Sequence, residues 1–158
     1  MKVLKKLGIL FALAGAGAQA QQMHVGGHVG AIGSEAESKI GFGLQFGVNP
    51  DGVAAFLVDA TFAPFENGTY FSSSPSIVVY PVAQQEFSLG ILGGAGFYKI
   101  PLSDVRFGLN FGVTGDFLLT NAISVGMEAR YHPIFGTPDD IWSVFLTLKY
   151  HFEMDGGW

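Results

Sequence analysis

Residues 106–135, RFGLNFGVTGDFLLTNAISVGMEARYHPIF, alternate between apolar and polar side chains in two runs. In the first run, residues 107–117, the apolar parity opens with Phe107, and the other parity holds mainly glycine, asparagine and threonine. In the second run, residues 123–132, Glu128 and Arg130 share the polar parity. A period of two is that of a β-strand, because successive side chains point to opposite faces. The short break between the runs suits a tight turn, so this stretch predicts an antiparallel hairpin.

Two kinds of barrel show this alternation: a soluble one with apolar residues inside, and a membrane one with apolar residues outside. The surface of a soluble domain usually carries about 25–35% charged residues, whereas charged residues make up 13% of this chain. Aromatic residues reach 14% and concentrate on the apolar parity. The small residues of the polar parity suit a narrow, filled lumen. We therefore expect the apolar parity to face lipid.

The first twenty residues have the features of a secretory leader. They combine a basic start, an apolar run over 7–16 and the small-x-small sequence Ala18-Gln19-Ala20. The apolar run is too short for a membrane anchor, which needs about 20 residues. We expect a cleaved signal peptide at 1–20 and a barrel domain at 21–158. The remaining chain is acidic and has no basic patch, which argues against nucleic acid as a partner.

The barrel domain contains eight alternating segments, and a closed antiparallel barrel requires an even number. The sheet must close because every backbone group needs a partner within hydrocarbon. The predicted strands are 22–32, 39–48, 53–63, 76–83, 87–99, 106–118, 123–132 and 141–152. The fourth follows the longest predicted connection, 64–75, and contains Pro81, which indicates an edge or a bulge. The predicted fold class is all-β, an eight-stranded antiparallel up-and-down transmembrane barrel.

This pattern resembles the small eight-stranded outer-membrane β-barrel family that includes outer-membrane proteins A, X and W. The resemblance covers the whole barrel domain and is most specific over 107–131 and in the last strand. Leu146, Leu148, Tyr150 and Phe152 look like the family's C-terminal assembly signal, although this chain continues to Trp158. The resemblance implies insertion into the outer membrane by the barrel assembly machinery. It also implies outer-membrane lipid and lipopolysaccharide as partners, and a monomer.

Several ionisable side chains share the inward parity. An eight-stranded barrel is just wide enough to be filled by side chains, and buried charges need partners. We therefore predict a lumenal polar network that plugs the pore, formed by Asp59, Asp116, Glu128, Arg130, Lys149, His24, His28 and His151. A proton or ion path through the same groups is the alternative.

The sequence offers little for catalysis or metal binding. His24 and His151 should lie together, because the first and last strands must pair, but a metal site needs three or four ligands. No histidine is followed two residues later by serine, as in the family that resembles lipid A deacylases, and the chain has no cysteine. The serines at 72–74 are interpreted as a flexible loop. We predict no catalytic residue, metal or cofactor.

Aromatic residues near the predicted strand ends are placed to form girdles at the membrane interfaces. They are Tyr70, Phe71, Tyr80, Tyr98, Tyr131, Trp142 and Tyr150. The predicted function is that of an integral outer-membrane barrel with a structural or surface-interaction role and no enzyme activity. The alternatives are a narrow channel or binding barrel for small hydrophobic or polar molecules, and a soluble lipocalin-like barrel with inverted faces.

Overall fold

A computed structural model describes residues 21–34, 37–50, 52–83, 86–137 and 140–154 of the 158-residue chain. The predicted signal peptide and Trp158 lie outside these ranges. The strands are β1 Gln21–Gly33, β2 Ser38–Asn49, β3 Ala54–Phe65, β4 Gly68–Ala83, β5 Phe87–Lys99, β6 Val105–Thr120, β7 Ile123–His132 and β8 Ile141–Met154.

Each strand pairs with its sequence neighbours, and β8 pairs antiparallel with β1 to close the barrel. The predicted eight-stranded antiparallel fold is confirmed. The described part of the chain has no helix long and apolar enough to cross a membrane. The start of β1 and the end of β8 lie at one end of the barrel, together with the connections from β2 to β3, from β4 to β5 and from β6 to β7, and we call this the terminal end. The connections 34–37, 66–67, 100–104 and 133–140 lie at the opposite end.

Apolar side chains cover the outside of the barrel. Ile40 and Leu44, both on β2, are 71% and 70% exposed. Leu146, Leu148 and Tyr150 of the predicted assembly signal are likewise exposed on β8. Most buried charged and polar side chains of the described residues line the inside. The two faces are therefore inverted relative to a soluble domain, as the composition predicts.

The longest predicted connection is wrong. Only Glu66 and Asn67 separate β3 from β4, and β4 begins at Gly68 instead of residue 76. Ser74 pairs with Asp59 within the β3–β4 ladder, so the serine run belongs to a strand and not to a flexible loop. The outward positions here include Ser73 and Pro75, so the apolar alternation on which the sequence prediction depends is absent. The bulge that Pro81 indicates is present, because the pairing of β4 with β5 shifts register between residues 79 and 82.

An apolar cap closes the lumen at the opposite end. Its buried members are Ile32, Ala63, Tyr70, Tyr98, Ile134, Ile141 and Phe145. Ile134 comes from the connection after β7, in which residues 133–135 extend the ladder of β6. The Leu109 amide donates to the Pro133 carbonyl and the Phe135 amide donates to the Phe107 carbonyl, each at 3.0 Å. The cap is thus fixed to the sheet by backbone hydrogen bonds.

The girdle prediction is wrong for three tyrosines. Tyr70 and Tyr98 are fully buried in the cap, and Tyr80 packs against a second lumenal cluster formed by Ala55, Leu57, Val78 and Leu92. Their positions follow from strand parity: Tyr70, for example, shares the inner face of β4 with Ser72 and Ser74. Tyr131, Trp142 and Tyr150 do lie exposed on the outer face.

Candidate functional site in the lumen

Arg130 is the centre of a buried ion cluster in the middle of the lumen. Its Nη1 donates to Asp59 Oδ1 at 2.7 Å and to Ser74 Oγ at 3.3 Å. Its Nε donates to Glu128 Oε1 at 2.7 Å, and Ser74 Oγ donates to Asp59 Oδ1 at 3.0 Å. We call these four residues the arginine cluster. It joins β7 to β3 and β4 across the lumen, which holds non-adjacent walls of the barrel together.

Strand geometry explains how the arginine cluster forms. Glu128 and Arg130 are two residues apart on β7, so both side chains point inward. Asp59 and Ser74 are register partners on β3 and β4. All three charged side chains are 5% exposed or less. At this degree of burial the ion pairs are stronger than they would be in water, and each charge is stabilised mainly by the others.

A second ion pair lies towards the terminal end. Lys149 Nζ donates to both carboxylate oxygens of Asp116, at 2.7 and 2.8 Å. The pair lines a cavity of about 250 Å³, which we call the terminal cavity. His24 and His151 also line the terminal cavity, and their ring centroids are 5.6 Å apart. The cavity is partly open to solvent at the terminal end, whereas the cap closes the lumen at the other.

His28 lies in the lumen apart from both the arginine cluster and the Lys149–Asp116 pair. Its Nε2 and Thr61 Oγ1 share a hydrogen bond of 2.9 Å, and its ring packs against Phe145 with centroids 4.5 Å apart. The imidazole lies over Gly43 of β2. A Cβ at Gly43 would collide with this ring and with the Ala60 carbonyl oxygen.

Gly43→Ala is therefore expected to destabilise the barrel by about 1–3 kcal/mol, because the new methyl group forces His28 or the β3 backbone to move. Gly27→Ala is the matched control: the nearest atom to a Cβ there is the Gly43 carbonyl oxygen at 3.7 Å. This control should shift stability by less than about 1 kcal/mol. Urea unfolding of both variants in lipid vesicles measures the difference. Equal stabilities would show that His28 is not held against Gly43.

The predicted network thus falls into three groups. Asp59 joins Glu128 and Arg130; Asp116 joins Lys149, near His24 and His151; His28 bonds to Thr61. Sequence reasoning missed several members, which are Thr61, Ser72, Ser74, Ser76, Asn110, His132 and Ser143.

The lumenal position of His132 could have been predicted from the sequence, because its parity on β7 places it inside. It bridges Tyr98 Oη at 3.2 Å and Ser143 Oγ at 3.0 Å. Ser72 and Ser74 of β4 gave no such signal, because they fell in the predicted connection 64–75, whereas Ser76 opened the predicted fourth strand. Ser76 Oγ donates to Asn110 Oδ1 at 2.9 Å, which links β4 to β6.

One pair in the terminal cavity has the residue types of a nucleophile and its base. Ser124 Oγ and His151 Nε2 share a hydrogen bond of 2.7 Å. A working triad also needs a group that orients the base. His151 Nδ1 has no hydrogen-bond partner among the described residues, and Asp116 is engaged by Lys149. Within the same residues, no group of three or more His, Cys, Asp or Glu side chains is arranged to hold a metal ion.

No protein-family model matches the chain, and a sequence comparison with curated proteins finds no match. Solved structures do match. The N-terminal β-barrel domain of Pseudomonas aeruginosa OprF has a TM-score of 0.68 at 10% identity and covers 85% of this chain and 100% of its own. Neisserial surface protein A has a TM-score of 0.64 at 14% identity, with coverages of 86% and 99%.

Ail, the attachment invasion locus protein of Yersinia pestis, has a TM-score of 0.58 at 15% identity, with coverages of 85% and 99%. At these identities the likeness establishes the fold alone. The chain has the fold of the small eight-stranded outer-membrane barrels, which confirms the resemblance seen in the sequence.

Proposed function

We propose that the chain is an integral outer-membrane barrel with a structural or surface-interaction role and no enzyme activity. The observation that carries this proposal is the inversion of faces: large apolar side chains cover the outside, while Arg130, Lys149 and their carboxylates are inside. A closed sheet leaves no unpaired edge, so it tolerates hydrocarbon. The soluble lipocalin-like alternative needs the apolar parity inside, opposite to the arrangement found.

The surface-interaction role rests on structural likeness. Neisserial surface protein A and the attachment invasion locus protein carry such roles in their names, and this chain shares their fold. Proposed partners are outer-membrane lipid, lipopolysaccharide and, during insertion, the barrel assembly machinery. The row Leu146, Leu148, Tyr150 and Phe152 on β8, in which the first three side chains are exposed and Phe152 is half-buried, is the proposed assembly signal. The barrel is proposed to work as a monomer.

Membrane fractionation and a heat-modifiability gel test the proposal. The folded barrel should stay with the membrane fraction, and it should migrate differently before and after boiling, because a closed β-barrel resists detergent at room temperature. A mature protein that is water-soluble and shows no heat-dependent mobility would contradict the proposal.

We expect no steady conductance from the wild-type barrel in a planar bilayer. The cap seals one end, and the arginine cluster and the cluster around Leu57 fill the interior. Steady single-channel currents that are lost in Glu128→Ala would instead favour the channel alternative, with ions passing the arginine cluster.

The terminal cavity supports a second candidate, a binding barrel for a small polar molecule. Its volume of about 250 Å³ and the charged, imidazole and hydroxyl groups in its lining fit a polar ligand smaller than a drug-sized molecule. Because the far end is sealed, such a ligand would enter and leave from the terminal end. Isothermal titration with small polar solutes, comparing the wild type with Lys149→Met, tests this candidate.

A further inference from the structure

The outer face carries a groove at the opposite end, between the 66–67 turn and the 100–104 connection. It is an open groove with a volume of about 530 Å³, and we call it the outer groove. Phe62 and Phe71 form its floor, with ring centroids 4.9 Å apart. Lys99, Pro101 and Leu102 form one side. The floor is continuous with the apolar outer surface, so a molecule bound in the groove also contacts that surface.

Leu102 stands in an unfavourable conformation beside the outer groove. Its φ is 62°, and the Ser103 amide donates to the Ile100 carbonyl at 3.1 Å, which closes a turn with Pro101 in its second position. A positive φ at the third position of such a turn favours glycine. The leucine is also 87% exposed. The backbone angle is unfavourable in any solvent, whereas contact with an apolar chain would remove the exposed leucine side chain from water.

Lys99 supplies a positive charge at the same place. Of the five lysines and arginines in the described ranges, Arg130 and Lys149 are lumenal, and Lys39, Lys99 and Arg106 all lie at the opposite end. Lys39 is paired with Glu37 at 3.4 Å and with Glu66 at 3.6 Å. Lys99 is exposed and makes no ion pair with a described carboxylate. The groove therefore combines an apolar floor with one available amine at its rim.

We propose that the outer groove binds one phosphate-bearing lipid, whose acyl chain lies against Phe62, Phe71 and Leu102 and whose phosphate pairs with Lys99 Nζ. This rests on the proposed function, because only a membrane-inserted barrel presents the groove to lipid. It goes further by assigning a discrete site and a headgroup chemistry. A soluble partner is disfavoured, since the floor is part of the surface proposed to lie in the membrane.

Native mass spectrometry of the refolded barrel with added lipid A tests the headgroup contact. The wild type should retain one lipid, and Lys99→Gln should lower its occupancy about fivefold, the effect expected of one cation near an anionic lipid. Dephosphorylated lipid A should bind the wild type about as weakly as intact lipid A binds the Lys99→Gln variant. Arg106→Gln is the matched control: this exposed cation lies at the same end but turns towards Gly136, away from the groove. It should keep wild-type occupancy.

Leu102→Gly tests the acyl contact separately. Lipid retention should fall about threefold to tenfold because an apolar contact is lost. The unfolding temperature in lipid-free detergent should stay the same or rise, because glycine adopts this backbone angle freely.

Equal losses in Lys99→Gln and Arg106→Gln, or unchanged retention in both Lys99→Gln and Leu102→Gly, would overturn the site. If the barrel shows heat-dependent mobility but retains no lipid, the groove assignment alone fails. If the chain is absent from the membrane fraction, the proposed function fails first.

Discussion

Arg130→Ala is expected to destabilise the barrel by about 3–5 kcal/mol. The substitution leaves Asp59 and Glu128 buried without their shared cation, and an unpaired charge in a dry interior is far costlier than a lost contact. Ser74 remains beside Asp59 but supplies only one neutral hydrogen bond. Urea unfolding in lipid vesicles, followed by loss of the folded gel band, measures the change.

A triple variant separates charge from packing. Asp59→Asn, Glu128→Gln and Arg130→Met together remove every charge of the arginine cluster while keeping similar volumes. This variant should recover most of the stability lost in Arg130→Ala, because neutral groups cost less to bury. An Arg130→Ala effect below about 1 kcal/mol, or a triple variant no more stable than the single one, would contradict the assigned role of the cluster.

Met127→Arg should destabilise the barrel by about 2–4 kcal/mol, which is the second large effect expected. Met127 lies at the middle of β7 on the outer face, where the proposed bilayer is driest. Val105→Arg is its matched control, because Val105 opens β6 at the rim of the barrel and should cost only about 0–1 kcal/mol. The two side chains are almost equally exposed, at 58% and 60%, so depth is the main difference between them.

Unfolding from vesicles measures both arginine variants. In a soluble protein the two substitutions would have similar effects on stability, since substitutions on a water-exposed surface usually change it by less than about 0.5 kcal/mol. Small and equal effects at both depths would therefore show that the apolar outer face does not meet lipid.

Much of the fold could be predicted because period-two alternation carries two pieces of information at once. It identifies the strands and, together with the low charge content, it orients their faces. The alternation is lost where the outward positions are not apolar. In the first half of β4 these positions include Ser73 and Pro75, so hydrophobicity does not alternate although the backbone pairs with β3 throughout.

The candidate site was only partly predictable. Parity alone places Asp59 and Arg130 inside, but they are 71 residues apart in sequence, and their contact depends on how the strands are staggered around the barrel. Sequence patterns do not give that stagger. The cap is a similar case: Ile134 lies outside every strand, and nothing in its local sequence indicates that its backbone pairs with Gly108.

The pairing of residues 133–135 with β6 has a consequence for motion. A free connection at a barrel mouth fluctuates within nanoseconds to microseconds. Here, lifting Ile134 out of the lumen breaks the backbone bonds that Leu109 and Phe135 make, so opening requires local unzipping of a sheet. The amide protons of Leu109 and Phe135 should accordingly exchange as slowly as those of a strand interior. On the nanosecond-to-microsecond timescale, the segment that carries Ile134 therefore behaves as part of the β-sheet, and Ile134 stays in the lumen.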